Sequence, residues 1–453
     1  MGKLYRKIES YIEEHLRSDS DKILLLEGAR QIGKSYIIRE VAKRQYVNFV
    51  ELNFVEDDEG AKLFKDIHST NDFYMSLSMF AGEKLDKYEN TLIFLDEIQQ
   101  YPQYLTLLKF FRQERRYRFI ASGSLLGVTL RSTTSIPVGS IVLKEMYQLD
   151  FEEFIIANGF GKEAVLLIKE KFEKRETLSE SYHSKLMDLF RRYLIVGGMP
   201  DVVNTYLETH NVVKVRELQN SIRGLYADDA SKYESNNGKN LLIKRIYGMI
   251  PSQMENKKKR IVFKDVRNKE GERFDKFQEE FEYLISSGIS NAVHAISNPH
   301  FPLVESVQKN LIKLYLNDIG LLTSQLYGRN VKPILEDERS INLGSVYESV
   351  VAQELKAHGY KLFYYDNRSK GEVDFIIDDY NNSSILPIEV KSGRDYTIHS
   401  ALNKLTSDEE YNVKSALVLS NEREVKQNGK IVYMPIYYVM FIGEQNIEEL
   451  LYF

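Results

Sequence analysis

Two neighbouring apolar segments near the carboxyl end of the sequence carry ionisable residues in a pattern suited to phosphodiester chemistry. The segment "GEVDFII" places Asp374 on the face opposite Val373 and Phe375, while "PIEVKSG" places Glu389 and Lys391 together on one face of a second strand. Paired carboxylates can hold a divalent cation that lowers the pKa of a bound water, and a nearby ammonium can stabilise the hydroxide. The pattern predicts a divalent-metal and phosphate site in which all three polar residues are catalytic.

Two further acids lie close to this pattern. Glu348 is on a predicted helix, "GSVYESVVAQELKAHG", on a face with Val351 and Leu355, and could add a third carboxylate. Glu372 lies one pleat from Asp374. The predicted metal ligands are Glu348, Asp374 and Glu389, with Mg²⁺ or Mn²⁺ as the cation. Because acid-x-lysine patterns are common on exposed strands, a site kept only for binding and a coincidence of spacing both remain open.

A second chemical motif lies near the amino terminus, where "KILLLEGARQIGKSYIIREVAKR" reads as an apolar strand, a glycine loop and a helix. The loop fits G-x-x-x-x-G-K-[ST], a pattern that turns backbone N–H groups toward phosphates. Lys34 would reach the β- and γ-phosphates, and Ser35 would ligate Mg²⁺. The predicted ATP-binding residues are Gly28, Ala29, Arg30, Gln31, Ile32, Gly33, Lys34 and Ser35, together with Ser122.

The segment "TLIFLDEIQQ" ends an apolar strand in two acids. At such a position Asp96 would hold Mg²⁺ and Glu97 would polarise the water that attacks the γ-phosphate. The next strand, "YRFIASGS", ends on Ser122 and Ser124, and we expect Ser122 to sense the γ-phosphate. Apolar segments alternate with helical stretches here, which predicts a parallel sheet covered by helices.

These motifs together resemble a known family. The segments "EGARQIGKS", "TLIFLDEIQ", "FIASGSLLG" and "YQLDFEEF", followed by "RRYLIVGGMPDVV", "KLYLNDIGLL" and "GEVDFII…IEVKSG", are similar to bacterial and archaeal AAA-type ATPases with a region related to PD-(D/E)xK nucleases. The resemblance covers almost the whole chain. It implies an α/β fold with an ATPase domain in residues 1–154, a helical connecting region in 155–340 and a restriction-endonuclease-like domain in 341–453.

One position departs from that family, in which many members have Gly-Arg where this chain has Gly139-Ser140. If the arginine assists hydrolysis in those relatives, this protein must use another, for which Arg131 is a candidate, or hydrolyse ATP slowly. The resemblance also leaves the oligomeric state open, with a homo-oligomer as one alternative.

The middle of the chain offers two interpretations. The stretch "KDVRNKEGERFDKFQEEFEYLISSGISNAVHAISNP" could be a winged helix that reads a DNA groove, or a simple connection between its neighbours. The run Lys257-Lys258-Lys259-Arg260 could contact phosphates, although such runs are usually solvated. The net charge of −5 means that any nucleic acid, DNA more than RNA, must bind to a local basic patch.

Composition excludes several kinds of site. The chain has no cysteine, so disulfides, thiolate metal sites and cysteine nucleophiles are excluded, and only eight histidines are present. The apolar runs are far shorter than the ~20 residues that span a bilayer, and a cytoplasmic protein without a membrane partner is expected. We therefore expect an ATPase coupled to a nuclease-like domain. A regulatory ATPase switch with an inactive nuclease-like domain and a nucleotide-binding scaffold without turnover are the alternatives.

Overall fold

The computed structural model describes residues 2–54, 62–124, 139–232, 237–255, 259–267, 269, 274–336, 343–393 and 395–443. The chain forms two compact units, each discontinuous in sequence. The amino-terminal unit consists of Tyr5–Gln148 and Glu282–Ile289, and the carboxyl-terminal unit of residues 1–4, Leu149–Phe281 and Ser290–Phe453. Among the described helices, none has the length and apolar character needed to cross a membrane.

The amino-terminal unit contains a five-stranded parallel sheet in the order β2-β3-β4-β1-β5. Its strands are β1 (Ile23–Glu27), β2 (Asn48–Asn53), β3 (Thr91–Asp96), β4 (Arg118–Gly123) and β5 (Ile141–Glu145). Its α-helices are Lys7–Arg17, Lys34–Gln45, Thr70–Ala81 and Gln103–Glu114, with 3₁₀ turns at Gly82–Lys84 and Ile98–Gln100. The predicted parallel sheet is confirmed.

The apolar runs of these strands reflect burial on both faces of the sheet. All six residues of β3 are buried, from Thr91 to Asp96. One face packs an aromatic cluster in which the rings of Phe111 and Phe119 stack with centroids 4.6 Å apart. Because the order has β1 and β3 flanking β4, the carboxyl ends of these strands share one edge, where parallel α/β sheets bind their ligands.

The carboxyl-terminal unit begins with helices and continues into a mixed sheet, as the α/β prediction requires. Its α-helices are Phe151–Ala157, Lys162–Glu173, Glu180–Val196, Pro200–Thr209, Val212–Lys232, Asn237–Met254, Phe263–Arg267, Ile319–Tyr327, Lys332–Leu335, Gly344–Ala357 and Ser400–Ser407. A further helix, Gln278–Ser286, is divided between the two units. The 3₁₀ turns are Phe274–Lys276, Leu303–Ser306, Tyr380–Asn382, Glu409–Tyr411 and Ile436–Phe441.

The second sheet has eight strands in the order β12-β13-β11-β10-β9-β8-β6-β7. They are β6 (Ser290–Ile296), β7 (Gln308–Leu316), β8 (Phe363–Asn367), β9 (Gly371–Asp379), β10 (Ser384–Val390), β11 (Ala416–Ser420), β12 (Lys426–Asn428) and β13 (Ile431–Pro435). The hairpin β9–β10 lies in the middle of this order and pairs in antiparallel fashion, while β10 and β11 are parallel. The two segments predicted to carry phosphodiester chemistry therefore are adjacent strands.

The stretch considered as a possible winged helix contains one strand, β6. It pairs with β7 in antiparallel fashion and with β8 in parallel fashion, so this hairpin extends the large sheet and does not stand alone as a wing. The sheet thus takes two strands from residues 155–340, the range expected to be a helical connection. Local periodicity cannot reveal this, because the pairing partner β8 lies more than sixty residues further along the chain.

Candidate functional site

The glycine loop connects β1 to the helix Lys34–Gln45 and depends on positive φ angles. Gly28 has φ 146° and Gly33 has φ 92°, both uncommon for residues with a side chain. A Cβ on Gly28 would lie 2.2 Å from the carbonyl oxygen of Met146, so a side chain cannot fit there. Gln31 also adopts a positive φ of 61°. The loop has the glycine-dependent backbone turn that its sequence predicts.

Lys34 is buried at the start of the helix that follows the loop. Its Nζ donates hydrogen bonds of 2.9 Å and 2.7 Å to the carbonyl oxygens of Gly28 and Ala29. Burial lowers the pKa of Lys34 to about 8, while the carboxylates of Glu97 and Asp96 oppose that change. The ammonium is thus held inside the loop, beside the two acids at the end of β3.

Asp96 meets the hydroxyls of Ser122 and Ser35. Burial raises the pKa of Asp96, and hydrogen bonds from these two serines oppose the increase. Asn53 also donates from Nδ2 to Oδ2 of Asp96 over 3.3 Å. The structure therefore brings together Ser35 and Asp96, the hydroxyl and the carboxylate that are predicted to hold Mg²⁺.

Glu97 is held by a different set of polar groups. Its Oε2 accepts hydrogen bonds from Ser124 over 2.9 Å and from Gln99. Ser124 in turn accepts a hydrogen bond of 3.2 Å from Nε of Arg30. Sequence reasoning expected Ser122 to act near the γ-phosphate, yet Ser122 contacts Asp96 while Ser124 contacts the glutamate. The available signal in the sequence is the i, i+2 spacing of the two serines, one in β4 and the other directly after it.

Two contacts support the loop from distant parts of the sequence. Arg6 donates to the carbonyl oxygens of Ile32 over 3.0 Å and Tyr147 over 2.5 Å. Gly288 also lies beside the loop, because a Cβ added to it would be 3.1 Å from the backbone nitrogen of Ala29. Neither Arg6 nor Gly288 was identified from the sequence, because no local motif marks them.

Ser140, at the position where the family resemblance leads us to expect arginine, is buried before β5. Its hydroxyl is 3.4 Å from Nη1 of Arg112. The same nitrogen donates a hydrogen bond of 2.8 Å to the carbonyl oxygen of Gly139. Arg131, the candidate replacement, lies outside the described residues.

In the second sheet, the predicted acids and lysine meet where β9 and β10 adjoin. Ile388 pairs with Phe375, so Glu389 and Asp374 follow as neighbours across the hairpin. Oδ2 of Asp374 accepts a hydrogen bond of 2.8 Å from the backbone N–H of Val390. Nζ of Lys391 donates a hydrogen bond of 2.7 Å to Oε1 of Glu389. The other oxygen of Glu389, Oε2, is buried without a hydrogen-bond partner among the described residues.

The carboxylates of this cluster affect each other electrostatically. Burial raises the pKa of Glu389, the charges of Asp374 and Glu348 raise it further, and Lys391 opposes them. Burial also raises the pKa of Glu348, again with Asp374 adding to the effect and Lys259 opposing it. The structure therefore brings Glu348 from the helix Gly344–Ala357 within electrostatic range of the hairpin.

Protein cations already neutralise part of this acidic cluster. Nζ of Lys259 donates a hydrogen bond to Oε1 of Glu348. Fully buried Lys313 donates a hydrogen bond of 2.6 Å to Oε1 of Glu372. Arg260 contacts Glu372 over 3.5 Å and Asp366 over 2.5 Å. Glu372 is therefore engaged by two cations. In the part of the chain that the structure describes, no three histidine, aspartate or glutamate side chains are arranged to hold a metal ion.

The structure describes only the second half of the basic run 257–260. Lys257 and Lys258 lie outside the described residues. Lys259 and Arg260 are not solvated charges, because both form ion pairs with acids of the carboxyl-terminal unit. Sequence reasoning missed this pairing because Lys259 and Glu348 are 89 positions apart.

Three family models match the chain, each over one part of it. An AAA domain matches residues 20–155, and two domains of unknown function, DUF8612 and DUF4143, match residues 187–331 and 343–439. No protein of curated function matches the sequence.

Similar solved structures are distant. They include the Walker-type ATPase PABY2304 of Pyrococcus abyssi, 15% identical over 71% of this chain and 95% of that one, with a TM-score of 0.41. The Aeropyrum pernix ORC2 protein is 13% identical over 74% and 95% of the two chains, with a TM-score of 0.37. Because these scores are low, the likenesses carry no functional argument. The AAA match and the phosphate-loop geometry together identify residues 20–155 as an AAA-type P-loop ATPase domain.

Proposed function

We propose that this ATPase couples ATP hydrolysis to divalent-metal-dependent cleavage of nucleic acid, DNA in preference to RNA, at Asp374, Glu389 and Lys391. The observation that carries the proposal is the buried Oε2 of Glu389, which has no hydrogen-bond partner among the described residues and lies beside a second carboxylate. An unpaired carboxylate oxygen in such a place is costly unless a cation or a proton neutralises it.

Although no three side chains of the described residues form a metal cluster, two carboxylates meet a minimum for Mg²⁺, which keeps several waters and is often bound through one or two carboxylates. Asp374 and Glu389 would hold it through their carboxylate oxygens, and Glu348 would join them if its ion pair with Lys259 opened. Mg²⁺ or Mn²⁺ bound there would lower the pKa of a water and neutralise charge on the phosphate. Lys391 has only donors, so it would not ligate the cation. Its ammonium, already within 2.7 Å of Glu389, would stabilise a hydroxide or the phosphate oxygens.

In the ATPase domain, the same reasoning assigns roles to four side chains. Lys34 would leave the carbonyl oxygens of Gly28 and Ala29 to contact the β- and γ-phosphates. Ser35 and Asp96 would hold Mg²⁺, and Glu97 would accept a proton from the attacking water. The hydrogen bond of 2.9 Å from Ser124 would fix the orientation of that glutamate.

A second function is favoured by a separate observation. The ammonium of Lys259 on Glu348 and the Val390 N–H on Asp374 satisfy parts of two of the three carboxylates without metal. This arrangement fits a regulatory ATPase switch, in which the carboxyl-terminal unit binds nucleic acid or a protein but does not cleave. The two functions differ in whether the protein cleaves nucleic acid at these carboxylates.

The test uses the full chain with labelled single- and double-stranded DNA and RNA, with Mg²⁺ or Mn²⁺, with and without ATP. We expect cleavage and a metal-induced rise in melting temperature, both reduced in Asp374→Asn and Glu389→Gln. Lys391→Ala should keep the metal response and lose cleavage. Glu409→Gln, an exposed acid of the same unit, is the control. Cleavage that survives all three site substitutions would reject the assignment.

Lys259→Ala separates the two proposals. If Glu348 is a third ligand, removing the competing ammonium should strengthen the metal response and leave cleavage intact or increased. If the domain is an inactive binding module, neither the wild type nor Lys259→Ala should cleave any of the four substrates. That outcome would favour the regulatory switch.

A further inference from the structure

A cleft of ≈ 520 Å³ opens in the carboxyl-terminal unit, on the β12 side of the eight-stranded sheet. Neither the ATPase site nor the carboxylate cluster includes it. Aromatic, amide and cationic side chains line it: Tyr396, His399, Asn403, Lys426, Asn428 and Tyr433.

Two tyrosine rings line the cleft. The rings of Tyr396 and Tyr433 are nearly perpendicular, at 81°, with centroids 5.8 Å apart. Tyr433 is buried, and its hydroxyl is 2.8 Å from Nε2 of buried His399, which fixes the ring in place. Tyr396 is only half-buried. Because Tyr396 lines the cleft and is only partly covered, part of its ring is accessible to a planar ligand.

The cleft lies close to the carboxylate cluster. Tyr396 follows Lys391 by five residues, and the positive charge of Lys391 adds to burial in lowering the pKa of His399. In the strand order, β13 is two positions from β10, a separation of roughly 10 Å. A base held in the cleft would therefore belong to a nucleotide within a few steps of a phosphate at Asp374 and Glu389.

The side chains that line the cleft are of the kinds that bind single-stranded nucleic acid. Single-stranded nucleic acid is bound by stacking of its bases on aromatic rings and by cations along its backbone. Asn403 and Asn428 each offer a donor and an acceptor for a base edge. Exposed Lys426, which forms an ion pair with Glu424, would contact a phosphate by exchanging that partner. We propose that this cleft binds an unpaired nucleobase and its flanking phosphate, in the strand that the proposed nuclease-like site acts on. The inference rests on that proposed function for the identity of the strand.

The experiment measures binding of fluorescein-labelled single-stranded DNA and RNA to the full chain by anisotropy, in EDTA so that no metal-dependent cleavage occurs. Tyr396→Ala should weaken binding about tenfold, the loss of one stacked base. Tyr396→Phe keeps the ring and should bind as the wild type does. Tyr182→Ala, an exposed tyrosine of the same unit, is the control for nonspecific loss.

An abasic oligonucleotide distinguishes base stacking from backbone contact. The wild type should bind it about tenfold more weakly than the intact strand, and Tyr396→Ala should weaken that binding no further. Equal binding of intact strands by the wild type and Tyr396→Ala would overturn the cleft assignment, as would a wild type that binds no oligonucleotide. Competition by a free mononucleotide as strong as that by the strand would overturn the strand subsite.

Failure of the cleft and failure of the nuclease-like site give different results. Tyr396→Ala should retain the metal-induced rise in melting temperature that Asp374→Asn loses. If the metal response depends on Asp374 but Tyr396→Ala binds strands normally, only the cleft is rejected. If the wild type shows no metal response while Tyr396→Ala loses binding, the cleft stands and the nuclease-like site is rejected.

Discussion

The hydroxyl of Ser124 donates a 2.9 Å hydrogen bond to Oε2 of Glu97, whereas Ser122, two residues earlier, contacts Asp96. Ser122 lies in β4 and Ser124 directly follows the strand, and the two serines contact different acids. Because Arg30 of the phosphate loop also contacts Ser124, the loop and the glutamate are joined through one hydroxyl. A change at the phosphates can therefore reach Glu97 through two hydrogen bonds.

The first prediction concerns turnover. Glu97→Gln should keep ATP bound and slow hydrolysis by on the order of 10²–10⁴, the loss of a general base. Ser124→Ala should slow hydrolysis about tenfold, because one hydrogen bond to a charged group is lost. Phosphate release and ATP binding, measured on the same preparations, check both variants. Ser122→Ala should instead alter the Mg²⁺ dependence of binding, so equal effects of the two serine substitutions would contradict their separate roles.

The second prediction concerns ATP affinity. Lys34→Ala removes a charged phosphate contact and should weaken ATP binding by roughly 1.5–3 kcal/mol, or tenfold to over a hundredfold. Lys43→Ala, an exposed lysine on the same helix, should leave affinity unchanged. Calorimetric titration of the two variants is the measurement. Equal affinities of Lys34→Ala and the wild type would remove the phosphate role from this loop.

The third prediction is a pH dependence of ATP binding. Burial sets the pKa of Lys34 at about 8, and phosphates favour its charged form, so the bound state has the higher pKa. Affinity should be constant below that value and fall as the pH rises through it. Titrations between about pH 7.5 and 9.5 test this in a range where the lysine ionises. The dependence should vanish in Lys34→Ala. A dependence that persists there would belong to another group.

The fourth prediction concerns Gly288, which has φ 73° and whose Cβ position lies 3.1 Å from the backbone nitrogen of Ala29. Gly288→Ala should both destabilise the protein and weaken ATP binding, because the methyl group would press on the phosphate loop. Gly82→Ala is the matched control, since Gly82 has φ 55° but, apart from its chain neighbours, no atom of the described residues lies within 4 Å of its Cβ position. It should cost only backbone strain, of roughly 1–3 kcal/mol for a sparsely populated conformation, and leave ATP affinity unchanged. Thermal unfolding and ATP titration separate the two effects.

The fifth prediction links stability to pH through Glu389. Burial and neighbouring carboxylates raise its pKa in the folded protein, so folding favours the protonated form. Stability should therefore decline as the pH rises from the ordinary glutamate pKa through the raised one. Glu389→Gln should remove this decline and be more stable than the wild type at alkaline pH.

The control for that prediction is another glutamate-x-lysine pair, Glu424 and Lys426, which is exposed to solvent. Glu424→Gln should not reduce the decline. Melting temperatures in metal-free buffer, from about pH 5 to about pH 9, provide the comparison. If Glu389→Gln and the wild type have parallel profiles, the carboxylate is not ionising in a buried, repulsive environment.

The sequence was most informative where chemistry depends on close spacing. Gly28, Gly33 and Lys34 are within seven positions, and the positive φ values that the glycines adopt follow directly from the loop motif. The parallel sheet followed from alternating apolar strands and helices. The roles of Asp374, Glu389 and Lys391 remain predictions, although the hairpin places the three residues side by side.

Contacts between distant positions could not be predicted in the same way. Three contacts join segments that share no periodicity or motif. They are the hydrogen bonds from Lys259 to Glu348 and from Arg6 to Ile32, and the close approach of Gly288 to Ala29. The distinction between Ser122 and Ser124 also depends on the turn after β3, where Glu97 adopts a positive φ of 55°. A propensity argument does not assign that conformation to glutamate, so the direction of its side chain was not predictable.

Because the amino-terminal unit consists of two separate segments of the chain, its folding during translation depends on both segments. Its last segment, Glu282–Ile289, is separated from Gln148 by more than a hundred residues of the other unit. During synthesis, the phosphate loop therefore leaves the ribosome long before Gly288, which packs beside it. A fragment that ends at residue 154 contains every motif of the ATPase domain but lacks this segment. The nucleotide site thus reaches its full structure only after translation has passed residue 289.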